Sequence, residues 1–148
     1  MLRLPPPLWA LIFLILSTAV SYLAGWPRSP YLHSLPVGIA FIAVSFIAPI
    51  WALVLFRGEN TQVDTTSEAN NKLVTGGPFR FTRNPMYLGL VVLCLGVAVA
   101  TGAIPIFAAP ILTFATAHWV HIPFEEAKMR RQFGKAFDDY ALSVRRWV

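Results

Sequence analysis

The stretch MYLGLVVLCLGVAVATGAIPIFAAPILTFATA, Met86 to Ala117, runs for 32 residues without one charged side chain. A spanning helix needs about 20 apolar residues, so this run is longer than a single crossing requires. Two features divide it, Gly102 and, shortly after, Pro105. That spacing fits a tight helical hairpin, with one helix from about Pro85 to Thr101 and another from about Ile104 to His121. One long tilted helix kinked at Pro105 and Pro110 is the alternative.

Two further apolar runs lie upstream. Leu8 to Ala24 is uncharged and 17 residues long, at the short end for a span. A signal peptide is its rival reading, with Arg3 as the basic region and small residues from Ser17 to Ala24. The rest of the chain is equally apolar, however, and needs a bundle partner. Leu35 to Phe56 is long enough to span, and Pro49 within it predicts a kink.

Composition agrees. The chain is 56% hydrophobic and 13% charged, with a mean hydropathy of +0.59, whereas a soluble domain carries about 25% charged residues. Its 148 residues suit one domain. A net charge of +5 raises the question of nucleic acid, but the basic residues flank apolar runs and are not interleaved with a soluble aromatic platform. Anionic lipid headgroups are the expected partner, and no nucleic acid is expected. The single cysteine, Cys94, excludes an internal disulfide and any multi-cysteine metal site.

With four crossings, eleven of the twelve basic residues fall on one side and only Arg28 opposite. The positive-inside rule makes the rich side cytoplasmic, with both termini there. Three crossings would put the basic tail outside. The expected architecture is an all-α integral membrane bundle of about four transmembrane helices with a C-terminal amphipathic cytoplasmic helix. It forms a single domain over residues 1–148, in an inner or plasma membrane: two spans to residue 56, a cytoplasmic loop over 57–84, the hairpin over 85–121 and a tail over 122–148. All seven acidic residues fall on the inner side, so polar chemistry is expected there.

The inner segments hold the candidate residues. Gly76-Gly77-Pro78 signals a turn. Asn84 then stands where an N-cap belongs, and Pro85 suits the first helical position. From Pro123, the residues Phe124, Ala127, Phe133, Phe137, Tyr140 and Val144 recur among charges, an amphipathic pattern expected to lie along the membrane surface, interrupted at Gly134. Glu125 and Glu126 sit directly beneath a span, where an ionisable group is a functional candidate. His118 and His121 lie about one turn apart but lack a third ligand at a supporting spacing, so no metal is expected.

The ordered set LVTGGPFRFTRNPMYLG (Leu73–Gly89), an apolar hairpin, Glu125-Glu126 and FGKAFDDYALSVRRW (Phe133–Trp147) resembles the isoprenylcysteine carboxyl methyltransferase family. The likeness covers about half the chain, from Lys72 onward. It implies a membrane methyltransferase using S-adenosylmethionine in a cytoplasmic pocket covered by the C-terminal segment, with a lipophilic acceptor arriving from the bilayer. By position it implies that Asn71, Lys72, Leu73, Val74, Phe79, Asn84, Pro85, Met86, Tyr87 and Glu125 bind the cofactor. His121 falls at the substrate-contact position, the candidate catalytic residue. Three positions depart from the family pattern. Asn84 stands for a histidine, Phe79 for a tyrosine, and His121 for an arginine, whose loss bears on recognition of a substrate carboxylate.

The residue types suit that chemistry independently. The Gly76-Gly77 turn offers backbone donors, Phe79 and Tyr87 offer aromatic surface for a sulfonium, and Glu125 offers an acceptor. Methyl transfer is an in-line displacement that depends chiefly on positioning. A carboxylate or thiolate acceptor needs no general base; an amine does, and His121 is the placed candidate. The expected acceptor is lipophilic or small. A non-catalytic membrane protein keeping the fold for partner binding is the alternative. A transporter would require charges within the spans, and the spans have none.

Overall fold

The computed structural model describes residues 4–58 and 73–148. Among them every regular element is helical: α1 (Pro6–Leu23), α2 (Leu35–Ser45), α3 (Ile47–Gly58), α4 (Pro85–Thr101), α5 (Ala108–Thr116), α6 (Ile122–Phe133) and α7 (Lys135–Ser143). Three continuous helical stretches are long and apolar enough to cross a membrane: Pro6–Leu23, Leu35–Arg57 and Ile104–Phe133. The fourth apolar helix, α4, has 17 residues, a length of about 25 Å.

The chain reverses after α4. Gly102 takes the left-handed conformation (φ 64°), its N–H closing on Ala98 O at 2.8 Å. Glycine is required there twice over, because a Cβ would also press on His33 at 2.5 Å. A short 3-10 turn, Ile104–Phe107, leads into α5, and Cys94 Sγ meets Thr113 Oγ1 at 3.6 Å across the two helices. The turn is held by the α1–α2 loop, through Ile104 N–H to Pro27 O (2.9 Å) and Ser29 N–H to Gly102 O (3.0 Å).

Pro49 has the expected effect. It cannot donate to Ser45 O, and the helix breaks between Ser45 and Ile47. The break is packed against α4: a Cβ on Gly89 would fall 2.5 Å from Pro49 Cγ and 2.6 Å from Ser45 O. Further along, Gly96 lies against Ile42 and Gly38 O, and Gly38 lies against Ala100. Small residues thus bring α2 and α4 into backbone contact, the packing available to helices that gain nothing from burying leucine away from lipid. Burial follows the same logic. Ala10, Cys94, Ala98 and Ala109 are fully enclosed, while Leu11, Ile15 and Leu16 on α1 are more than half exposed.

Pro123 stands in the first turn of α6, as expected, but no break separates α6 from the helix before it. The chain runs on from α5 through a π turn, Ala117–His121, straight into α6, because proline at the first positions of α6 removes only an N–H that the wide turn leaves unused. The interruption comes at Gly134 (φ 53°), where α7 turns back.

The seam gives a direct test. Gly96→Val should lower unfolding stability by about 1–3 kcal/mol through overpacking. Gly76→Ala, where a Cβ meets nothing within 4 Å, should leave it unchanged. Thermal unfolding of both variants in the same detergent measures the difference.

Candidate active site

At the end of the bundle that carries Arg83 and the C-terminal tail lies a cavity of about 410 Å³. That is within the range of small-molecule sites, roughly 300–1,000 Å³. Its walls come from the start of α1, the end of α2, α3, α4, α6, α7 and the chain entering α4. The deep end is apolar, formed by Pro6, Phe46, Pro49, Gly89, Leu90 and Leu93. The outer end is polar and aromatic.

Local chemistry explains that outer end. Pro78 starts a 3-10 turn over Gly77–Arg80, seated on α3 because Gly77 has no side chain to strike Leu55 and Trp51. The turn carries Phe79 to the cavity wall, edge-on to Phe56 at 5.5 Å. Its carbonyl accepts a 2.7 Å hydrogen bond from the Tyr140 hydroxyl, whose pKa burial pushes up to about 12. Tyr140 therefore stays a donor at any physiological pH.

Asn84 occupies the N-cap position and Pro85 the first turn, as expected, but the Asn84 side chain does not cap the helix. Its amide Nδ2 donates to Arg146 O at 2.9 Å, while its own N–H is taken by Thr82 Oγ1 at 3.1 Å. Thr82 Oγ1 also donates to Arg146 O (3.2 Å), and Arg83 N–H donates to Arg145 O (3.0 Å). The last residues of the chain are thereby strapped across the start of α4. Trp147 completes the strap, donating from Nε1 to His118 Nδ1 at 3.0 Å and packing on Phe114 with ring centres 4.7 Å apart.

The two glutamates, neighbours in sequence, divide their work. Glu125 Oε1 accepts the Tyr87 hydroxyl at 2.7 Å, joining α6 to α4 on the cavity wall. The Glu126 side chain is 8% exposed and faces arginines: Arg83 Nη2 at 2.9 Å, Arg146 Nη2 at 2.7 Å, and Arg130 at 3.9 Å. The hydrogen bond to Glu126 raises the pKa of Arg146 further, so its charge is fixed. Arg83 also donates to Ala141 O, while its buried Nε meets no protein partner.

Of the residues expected in the site, Leu73, Val74, Phe79, Asn84, Pro85, Met86, Tyr87 and Glu125 all line this one cavity. Asn71 and Lys72 lie outside the described residues. His121 does not reach the cavity. It stands behind Tyr87, ring centres 6.1 Å apart, and lines a separate small space. Glu126, a functional candidate by its place beneath a span, also lines it, as do Arg83, Met129, Phe133, Phe137 and Tyr140, which were not among the expected site residues. The aromatic three belong to the amphipathic pattern. All three line the cavity, with Gly134 turning the chain from α6 into α7 between Phe133 and Phe137. Among the described residues no group of three or more His, Cys, Asp or Glu is placed to hold a metal ion.

The family model for phospholipid methyltransferases matches residues 34–136, well over half of the chain. The chain belongs to that family. That membership agrees with the resemblance carried by the Leu73–Gly89 and Phe133–Trp147 motifs. A curated relative, the nickel-cobalt-cadmium resistance protein NccN of Alcaligenes xylosoxydans xylosoxydans, is 28% identical over 107 residues. That alignment covers 72% of this chain and 46% of the relative, so the chain spans about half of the relative's length. No solved structure matches it significantly.

The buried carboxylate makes a testable claim on stability. Glu126→Gln should cost about 3 kcal/mol, because it leaves guanidinium groups enclosed without their counter-charge. Adding Arg146→Met to that variant should recover part of the loss. Denaturant unfolding of the single and double variants decides it.

Proposed function

We propose that the chain is an S-adenosylmethionine-dependent methyltransferase acting at the cytoplasmic face of a membrane on a lipophilic or small acceptor. One observation carries this reading. Eight motif residues from separate parts of the sequence, Leu73 to Tyr87 and Glu125, form the wall of a single cavity in a phospholipid methyltransferase family chain. In this reading α4 is a fourth crossing, since its 17 residues pack between α2 and α5. Both termini are then cytoplasmic, on the side rich in lysine and arginine.

The residues present fit the cofactor. The cavity has the volume of a small-molecule site, and its polar end combines a carboxylate, a buried guanidinium nitrogen without a protein partner and several aromatic rings. Those are the groups that an ammonium, a carboxylate and an adenine or sulfonium require. When bound, S-adenosylmethionine supplies a methyl group activated on a sulfonium. Glu125 would take the ammonium or a ribose hydroxyl, Arg83 the carboxylate, and Phe79 and Tyr87 the flat or cationic parts. Asn71 and Lys72 belong to the same proposed set by sequence position.

The protein's own task is placement. The outer end holds one reactant, and the apolar deep end, reaching Leu93 two turns into α4, suits the apolar body of the other. Holding the reacting atoms at about 3–3.5 Å in line supplies much of the catalysis. Closure by α7 and the terminal strap excludes water from that meeting point. His121, the catalytic candidate by resemblance, stands one ring removed from the cavity, so in this reading it reaches the reaction only through Tyr87.

Equilibrium binding of S-adenosylmethionine to the purified protein in nanodiscs tests the proposal. Binding in the micromolar range is expected, weakened about tenfold or more in Glu125→Gln through loss of a charge-assisted hydrogen bond. Well-folded protein that binds none would sink the catalytic reading and favour a chain that keeps the fold only to bind a partner.

A further inference from the structure

His121 is 5% exposed, and its Nε2 meets no protein hydrogen-bond partner. A buried polar nitrogen left unmatched costs about 1–3 kcal/mol, so the site should offer it something. What lies beside it is a small space of about 10 Å³, close to the volume that admits a single water. Besides His121, the space is lined by Thr113 and Thr116, which bring hydroxyls, and by Trp9 and Ala117. Pro6, Tyr87 and Leu90 line both this space and the large cavity. The Tyr87 ring is thus the partition between them.

The backbone is shaped to make this arrangement. His121 closes the π turn, where Ile122 N–H reaches back to Ala117 O, five residues away. The extra residue in that turn rotates His121 inward, to stack on Tyr87 with an interplanar angle of 29°. Wide turns of this kind are frequent at functional sites.

We propose that one water molecule fills this space, hydrogen-bonded to His121 Nε2 and a threonine hydroxyl, and that His121 is thereby a positioning residue for Tyr87. The water fixes the imidazole, and the imidazole fixes the face of the tyrosine ring that walls the large cavity. The Tyr87 hydroxyl then meets Glu125 at a set distance. His121 acts on the reaction through the ring in front of it, without touching either reactant. The inference deepens the proposed function and rests on Tyr87 as a wall of the cofactor site.

The test labels the protein with 3-fluorotyrosine in nanodiscs. Of the four tyrosines, the Tyr87 resonance is the one lost in Tyr87→Phe. His121→Phe keeps a ring but no nitrogen, Thr116→Val and Thr113→Val each remove a hydroxyl, and His121→Gln keeps a hydrogen-bonding group. His121→Phe and at least one of the threonine variants should shift the Tyr87 resonance and weaken S-adenosylmethionine binding, by about tenfold in His121→Phe, with His121→Gln closer to the parent. An unmoved resonance in His121→Phe overturns the positioning role. A shift in His121→Phe that neither Thr116→Val nor Thr113→Val reproduces overturns the bound water. If the parent protein binds no S-adenosylmethionine, the methyltransferase reading falls, and the resonance still decides this inference.

Discussion

The carboxylate of Glu126 is enclosed toward the C-terminal end of the longest helical stretch, and guanidinium groups from both sides of it in sequence converge there. Arg83 comes from the approach to α4, Arg130 from one turn along α6, and Arg146 from the end of the chain. A carboxylate so enclosed would be prohibitive without partners, and three cations on one carboxylate leave it fully matched. The consequence is geometric more than energetic. Arg83 fixes the loop that enters α4, and Arg146 fixes the strap across it. The start of α4 can sit in one place only, and Tyr87 lies on its first turn.

From that fixed point α4 serves two neighbours at once. The face bearing Gly89 and Gly96 meets α2 at backbone distance, which seats the Pro49 break against it. The Tyr87 side chain reaches across to Glu125 on α6. Three residues down the same helix, Leu90 packs against the cluster of Ala10, Cys94 and Ala109, as do Phe13 and Leu14 of α1. Between these contacts the helices leave a hollow, because the closeness that the glycines permit on one side is not matched by bulk on the other. The cavity is what remains when a helix is tied at its seam and at its tip.

Much of this was legible in the residues. The uncharged run with Gly102 inside it announced the reversal, since glycine before a proline-bearing turn is both stop and hinge. Pro49 announced the helix break, and Asn84-Pro85 the start of α4. Eight of the ten residues assigned to cofactor binding by resemblance share one cavity; the other two lie outside the described residues. The rest depended on long-range partners that no local pattern encodes. Nothing about Asn84 says that its amide will serve a carbonyl 62 residues away. Adjacent glutamates differ only in register, and a π turn just upstream sets that register. The same turn kept His121 off the cavity wall. The spacing of Phe133, Phe137 and Tyr140 reports an apolar face but not what covers it, and all three line the cavity.

That last point bears on how the proposed transfer reaction would proceed in this fold. A displacement at a methyl carbon asks for alignment and dryness, and for little proton traffic when the nucleophile arrives already ionised. Alignment is supplied here by restraints on restraints. The strap holds the entry to α4, the entry holds Tyr87, and Tyr87 meets Glu125 on one side and His121 on another. Dryness is supplied by α7 and the aromatic rings it folds inward. A terminal segment that is both lid and anchor makes these two demands the same event. Opening the pocket to exchange a ligand would release Arg146 from Glu126 and Asn84 together, so the geometry that favours transfer would exist only while water is excluded.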